Sequence, residues 1–224
     1  MIDSENSCFA WFHEAEIPGR DRQALWTRAK WQFGDTISIS FLDGDKVVRD
    51  RVREVAGEWL SRTGANLNFS WRSDTTDTTV RITFAGRDQW SMIGTDCRQR
   101  GPGRPTMALG GLTAASADAD VRRKALHEFG HVLGMVHEHS LADAPIVWDR
   151  DAIFDDLEGR WSREQIEQNL FRPILASEHN AVAFDPASIM IYPIKARWTK
   201  NGFTSDYNTE LSAGDLAFIR DQYT

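Results

Sequence analysis

Cysteine is scarce in this chain. Two residues among 224, Cys8 and Cys97, are too few to staple a fold, and free thiols are expected rather than a bridge. Long apolar runs are missing as well. No stretch approaches the roughly 20 residues that would cross a bilayer, so no membrane span is expected. Met1 to Trp11 lack the basic start and apolar segment of a secretory leader. That leaves secreted and cytoplasmic locations both open. An excess of positive charge is also absent: the net charge is −7, where a nucleic-acid binder would usually carry a basic face. There is no internal repeat and no low-complexity linker. What remains is ordinary globular composition, 41% hydrophobic and 26% charged, with nine Trp and twelve Phe as bulky core material.

Periodicity sketches the elements. Residues 36–41 alternate strictly, with Ile37, Ile39 and Phe41 on one side, and read as a strand. Asp43-Gly44-Asp45 reads as a turn. Val48, Val52, Val55 and Trp59 then follow at helical spacing. Residues 67–71 and 79–84 alternate again. The stretch from Gly86 to Pro105 reads as loop, and 106–109 as a short strand. A helix is expected from Asp118 or Asp120 to Gly134. Ser162 with Gln165, and Ser212 with Asp215, are capping boxes that open two later helices. Phe33-Gly34-Asp35 reads as a turn ahead of the first strand. Strands early and helices late imply an α+β or mixed-sheet fold.

One window carries the chemistry. Residues 127–139 read His-Glu-Phe-Gly-His-Val-Leu-Gly-Met-Val-His-Glu-His and hold four of the six histidines. Four residues apart on a helix, His127 and His131 lie one above the other and can point two imidazoles at one ion. Gly134 allows a sharp turn with positive φ, after which the chain can return His137 as a third ligand. Three protein ligands with a fourth position open form the catalytic pattern of zinc sites, whereas closed four-ligand sites are structural. Glu128 is placed to take a proton from a water as general base. A bare His-Glu-x-x-His arises by chance on surface helices; Gly134 and His137 at the extended spacing make the motif specific. His139 reads as a supporting or surface residue, and the isolated His13 and His179 carry no role.

The run His127 to His139 resembles the astacin-type motif of the metzincin zinc peptidases. The similarity extends to Trp148-Asp149-Arg150-Asp151, to Ser188-Ile189-Met190-Ile191-Tyr192, which resembles the Met-turn, and to the closing helix from Leu211-Ser212. It spans roughly residues 30–224 and looks closest to bacterial or fungal astacin-like proteins. The resemblance implies an α+β metzincin fold. A twisted mixed sheet and two long helices would form an upper subdomain (31–136), and a mostly irregular lower subdomain (137–224) would end in a C-terminal helix. Residues 1–30 receive no assignment. It also implies a zinc ion as cofactor on His127, His131 and His137, with Met190 as an apolar floor beneath the imidazoles. Tyr192 would be a catalytic hydroxyl that stabilises the oxyanion.

Three departures stand out. Ile191 replaces the usual His of the Met-turn. The disulfides common in animal astacins have no cysteines here. Glu138, which contacts the mature N-terminus in astacins, follows a chain with no evident cleavage site. The strand near 106–110 is expected at a sheet edge, open to an extended substrate by strand addition. Lys195 and Arg197 hint weakly at acidic substrate side chains. The expected activity is zinc-dependent endopeptidase, by a monomer acting on a peptide or protein substrate. The alternatives are a dedicated processing or effector protease with one protein substrate, and a zinc-binding module that has lost catalysis.

Overall fold

The computed structural model describes residues 8–11, 29–141, 143–172 and 184–224. Strand β1 is Cys8–Trp11, β2 is Thr36–Phe41, β3 is Asn68–Trp71, β4 is Val80–Thr83, β5 is Gln89–Met92 and β6 is Met107–Leu109. Among the described residues they form one mixed sheet in the order β1-β5-β6-β4-β2-β3. Only β5 and β6 pair antiparallel. The alternation of β2 buries Ile37 and Ile39 completely, because its inward face meets the helices.

Two expectations about this sheet fail. Residues 107–109 are not an edge: β6 lies between β4 and β5. β5, within the stretch read as loop, is a real strand, and its other side is occupied by β1 running parallel to it. Four residues, Gln-Trp-Ser-Met, carry too little alternation to announce a strand, and their order comes from neighbours on both sides.

Helix α1 is Lys46–Thr63, longer than its four spaced apolar residues required. Asp45 caps it by accepting from the Val47 N–H at 2.7 Å, and Gly64 ends it with φ 68°. Helix α2, Asp118–Val132, packs beside α1 and against the sheet. The Trp59 indole donates to the Leu126 carbonyl at 3.0 Å across that contact. Trp31, Ile37, Ile39, Val52, Trp59, Leu126 and Phe129 belong to the first hydrophobic core. A fully buried Trp removes about 200 Å² from water, worth about 5 kcal/mol as an upper figure.

Among the described residues beyond His137 the backbone is mostly irregular, with short helices α3 (Arg150–Leu157) and α4 (Arg163–Ile166). Helix α3 was not evident from periodicity; Asp149 caps it from within the Trp148–Asp151 segment. Ile153, Leu157, Ile166, Leu170, Ile191, Tyr192, Ile194 and Trp198 make a second core. Helix α5, Ala213–Tyr223, opens with the expected Ser212–Asp215 capping box and sends Ile219 and Tyr223 into the first core. Among the described residues no helix is long and apolar enough to cross a membrane.

Candidate metal centre

The end of α2 builds the site. Helix ends leave carbonyls without helical partners. Here the Trp31 indole donates to the Val132 carbonyl at 2.7 Å and the Tyr223 hydroxyl to that of Leu133 at 2.8 Å. At Gly134, with φ 98°, the chain reverses. The Met135 N–H closes onto the Gly130 carbonyl at 2.9 Å, and the returning segment brings His137 beside α2.

His127, His131 and His137 are all buried, and one ring nitrogen of each lies within 4.8 Å of the others. The carbonyl of Ile189 accepts from His127 Nδ1 and that of Met135 from His131 Nδ1, each at 2.8 Å. A carbonyl only accepts, so both Nδ1 atoms carry the proton and both Nε2 atoms present lone pairs inward. Nε2 of His127 is buried without a hydrogen-bond partner among the described residues. Nε2 of His131 and Nε2 of His137 are 3.1 Å apart. Two ligands at 2.0–2.1 Å from one tetrahedral ion would sit about 3.3 Å apart. The donor set therefore fits a metal ion. Burial holds the His131 pKa at about 4 and depresses those of His127 and His137 well below the usual value, which keeps the imidazoles neutral and able to ligate.

Glu128 follows His127 on α2 and is 1% exposed. The Tyr192 ring is 4.4 Å from that of His137 and 6.2 Å from that of His127. His139 is a buried supporting residue: it stacks on Tyr192 at 4.5 Å and donates from Nε2 to the Asn169 carbonyl at 2.8 Å. His13 and His179 lie outside the described residues. Met190 is fully buried, and its sulfur presses so close to α2 that a Cβ on Gly130 would come within 2.4 Å of it.

The turn 188–192 is held almost group by group. Asp215, 2% exposed, accepts from the Ser188 hydroxyl at 2.7 Å and the Ile189 N–H at 2.8 Å. Ser188 Oγ accepts the Met190 N–H at 2.9 Å. The Met190 carbonyl accepts the Glu138 N–H at 3.2 Å. Arg123, one turn before His127 on α2, donates to the carbonyls of both Ile189 and Ile191. Sequence reasoning missed Arg123 and saw Asp215 only as a cap. The available signal was the four-residue spacing from Arg123 to His127, which puts both on one helix face.

Glu138 accepts the Asp185 N–H at 2.7 Å, and burial raises its pKa to about 7. It thus ties the third histidine's loop to the segment leading into the turn. Lys195 and Arg197 both bind Asp156, together with the Trp198 indole. Against the effect of burial, these three donors hold the Asp156 carboxyl well below its usual pKa. Cys97 is a buried free thiol that burial pushes up to about 12.

No protein-family profile and no curated protein matches the chain. Solved structures do. One structure of myroilysin is 33% identical, covering 88% of this chain and 96% of that one, with a TM-score of 0.82. A crystal structure of myroilysin is 29% identical, covering 97% and 90%, with a TM-score of 0.72. The metzincin-like α+β architecture, with its mixed sheet and closing helix, is the one this chain shares with them.

Proposed function

From a chain that belongs to the same family as myroilysin, we propose the activity of a zinc-dependent endopeptidase of the astacin-like metzincin type. The observation that carries the reading is the convergence of three buried imidazoles within 4.8 Å, two of them with the Nδ1 proton committed to a carbonyl. His127, His131 and His137 would hold the ion. Bound there, zinc would polarise the scissile carbonyl and make a water acidic near neutral pH.

The remaining work belongs to the chain. Glu128 takes the proton of the attacking water on its carboxylate and passes it to the departing amine nitrogen. Its burial keeps bulk water from competing for that proton. Tyr192, its ring packed between His137 and His139, offers its hydroxyl to the developing oxyanion. Met190 and Gly130 keep α2 and the turn in contact, which fixes the direction of the histidines.

The test is elemental analysis together with cleavage of a peptide library. About one zinc per chain is expected, with activity lost to a chelator and restored by zinc. Glu128→Gln should retain the metal and lose roughly 10²–10⁴-fold in turnover, the usual weight of a general base. Metal-free protein that still cuts peptides, or a Glu128→Gln variant within a few-fold of wild type, would refute the assignment.

A further inference from the structure

Arg123 has no place in the proposed chemistry, yet it is only 5% exposed. Its guanidinium donates from one nitrogen to the Ile189 carbonyl and from the other to the Ile191 carbonyl at 2.6 Å. Those two carbonyls flank Met190, whose neighbours fall on opposite sides of a seam: Ile189 and Met190 lie in the first core, Ile191 and Tyr192 in the second. The Ile189 carbonyl also accepts from His127 Nδ1 at 2.8 Å. One oxygen is therefore shared by the arginine and a histidine one helical turn apart on α2.

Electrostatics makes this placement costly. The Arg123 guanidinium and His127 Nδ1 meet on one carbonyl oxygen, so a fixed positive charge lies beside the imidazole cluster. By Coulomb repulsion it opposes any metal cation among them. An uncharged side chain could fill the volume without that penalty. A guanidinium offers what such a side chain lacks: a rigid planar fork that spans two carbonyls and keeps its charge at every accessible pH.

We infer that Arg123 is a positioning residue, clamping the turn 188–192 to α2 so that the His127 ring is held in its ligating rotation and Tyr192 is held against His137. The inference rests on His127, His131 and His137 being metal ligands. Repulsion and clamping predict opposite signs when Arg123 is replaced, and that decides the matter.

The experiment compares wild type, Arg123→Met and Arg123→Lys. Zinc affinity is measured by chelator competition, the visible spectrum of the cobalt(II)-substituted protein is recorded, and kcat is separated from KM. For Arg123→Met the expectation is a 10–100-fold weaker zinc site, the usual size of losing an outer partner of a ligand. Altered cobalt bands and a lower kcat at nearly constant KM should accompany it. Arg123→Lys keeps the charge but reaches one carbonyl, and should fall between. Unchanged or tighter zinc binding with an unchanged cobalt spectrum would overturn the inference. Failure of both variants to fold would overturn it in favour of a purely structural arginine; if only the Met variant fails, the Lys variant decides. Wild type that binds no metal would defeat the metal-centre reading itself, a result distinct from variants that match a metal-binding wild type.

Discussion

The sheet with its two long helices and the turn at 188–192 are both buried, but different forces hold them. In the first region Trp31, Trp59, Phe129 and the isoleucines of the sheet fill space. Its stabilisation is spread over many weak apolar contacts, with the Trp31 and Trp59 indoles adding single hydrogen bonds to α2 carbonyls. The turn depends on a few hydrogen bonds with defined donors and acceptors: Asp215, Ser188, Arg123 and His127. Apolar packing tolerates small repacking, whereas a polar anchor is either made or left unmade at full desolvation cost. The proposed chemistry would therefore be aimed by the brittle region and supported by the tolerant one.

Substitutions can break or sharpen that contrast, and in stability the largest effect belongs to the apolar side. Trp59→Ala should cost about 3–5 kcal/mol in urea unfolding. A loss below about 1 kcal/mol would mean that Trp59 is not central to the core. Next comes Asp215→Ala, which strips an acceptor from the Ser188 hydroxyl and from the N–H groups of Ile189 and Ser212. About 3 kcal/mol is expected, with accelerated amide exchange concentrated at 188–192; exchange changing evenly along the chain would count against a local anchor. Gly130→Ala should cost roughly 1–3 kcal/mol by overpacking against Met190. In a double-mutant cycle Met190→Ala should relieve part of that cost, and strict additivity would show that the two do not press on each other. Tyr192→Phe comes last, with stability within about 0.5 kcal/mol of wild type. Under the proposed function its kcat nonetheless falls roughly 10–10³-fold with KM nearly constant; unchanged kcat would remove the hydroxyl from the chemistry.

The same contrast separates what could be read in the sequence from what could not. Regular elements announce themselves locally: the alternation of 36–41, the Asp43–Asp45 turn and the two capping boxes all appear in the structure as read. The histidine window was legible because four-residue spacing and a glycine turn are local geometry too. Strand order is not local. Nothing in Met107–Leu109 says that Gln89–Met92 will pair along its open side, or that a segment nearly a hundred residues earlier will then cover β5. Inward-facing charges are equally silent. Arg123 and Asp215 look like any charged residues on amphipathic helices until their distant carbonyl and amide partners are known. The tie of Lys195 and Arg197 to Asp156 was hidden for the same reason: that partner lies some forty residues away in sequence.

The Asp215 anchor also sets an order of events. A ribosome releases Ser188 and Ile189 before the carboxylate that fixes them, which follows Ile189 by 26 positions (215 − 189). At about 5–20 residues per second, the turn waits roughly one to five seconds, while the histidine helix has already emerged with its carbonyl partner unplaced. Under the proposed function, docking of the helix that carries Asp215 would complete the turn beside the histidines. For a protein proposed to cut peptide bonds, a nascent chain would stay inert while its own unfolded segments are most exposed to cleavage.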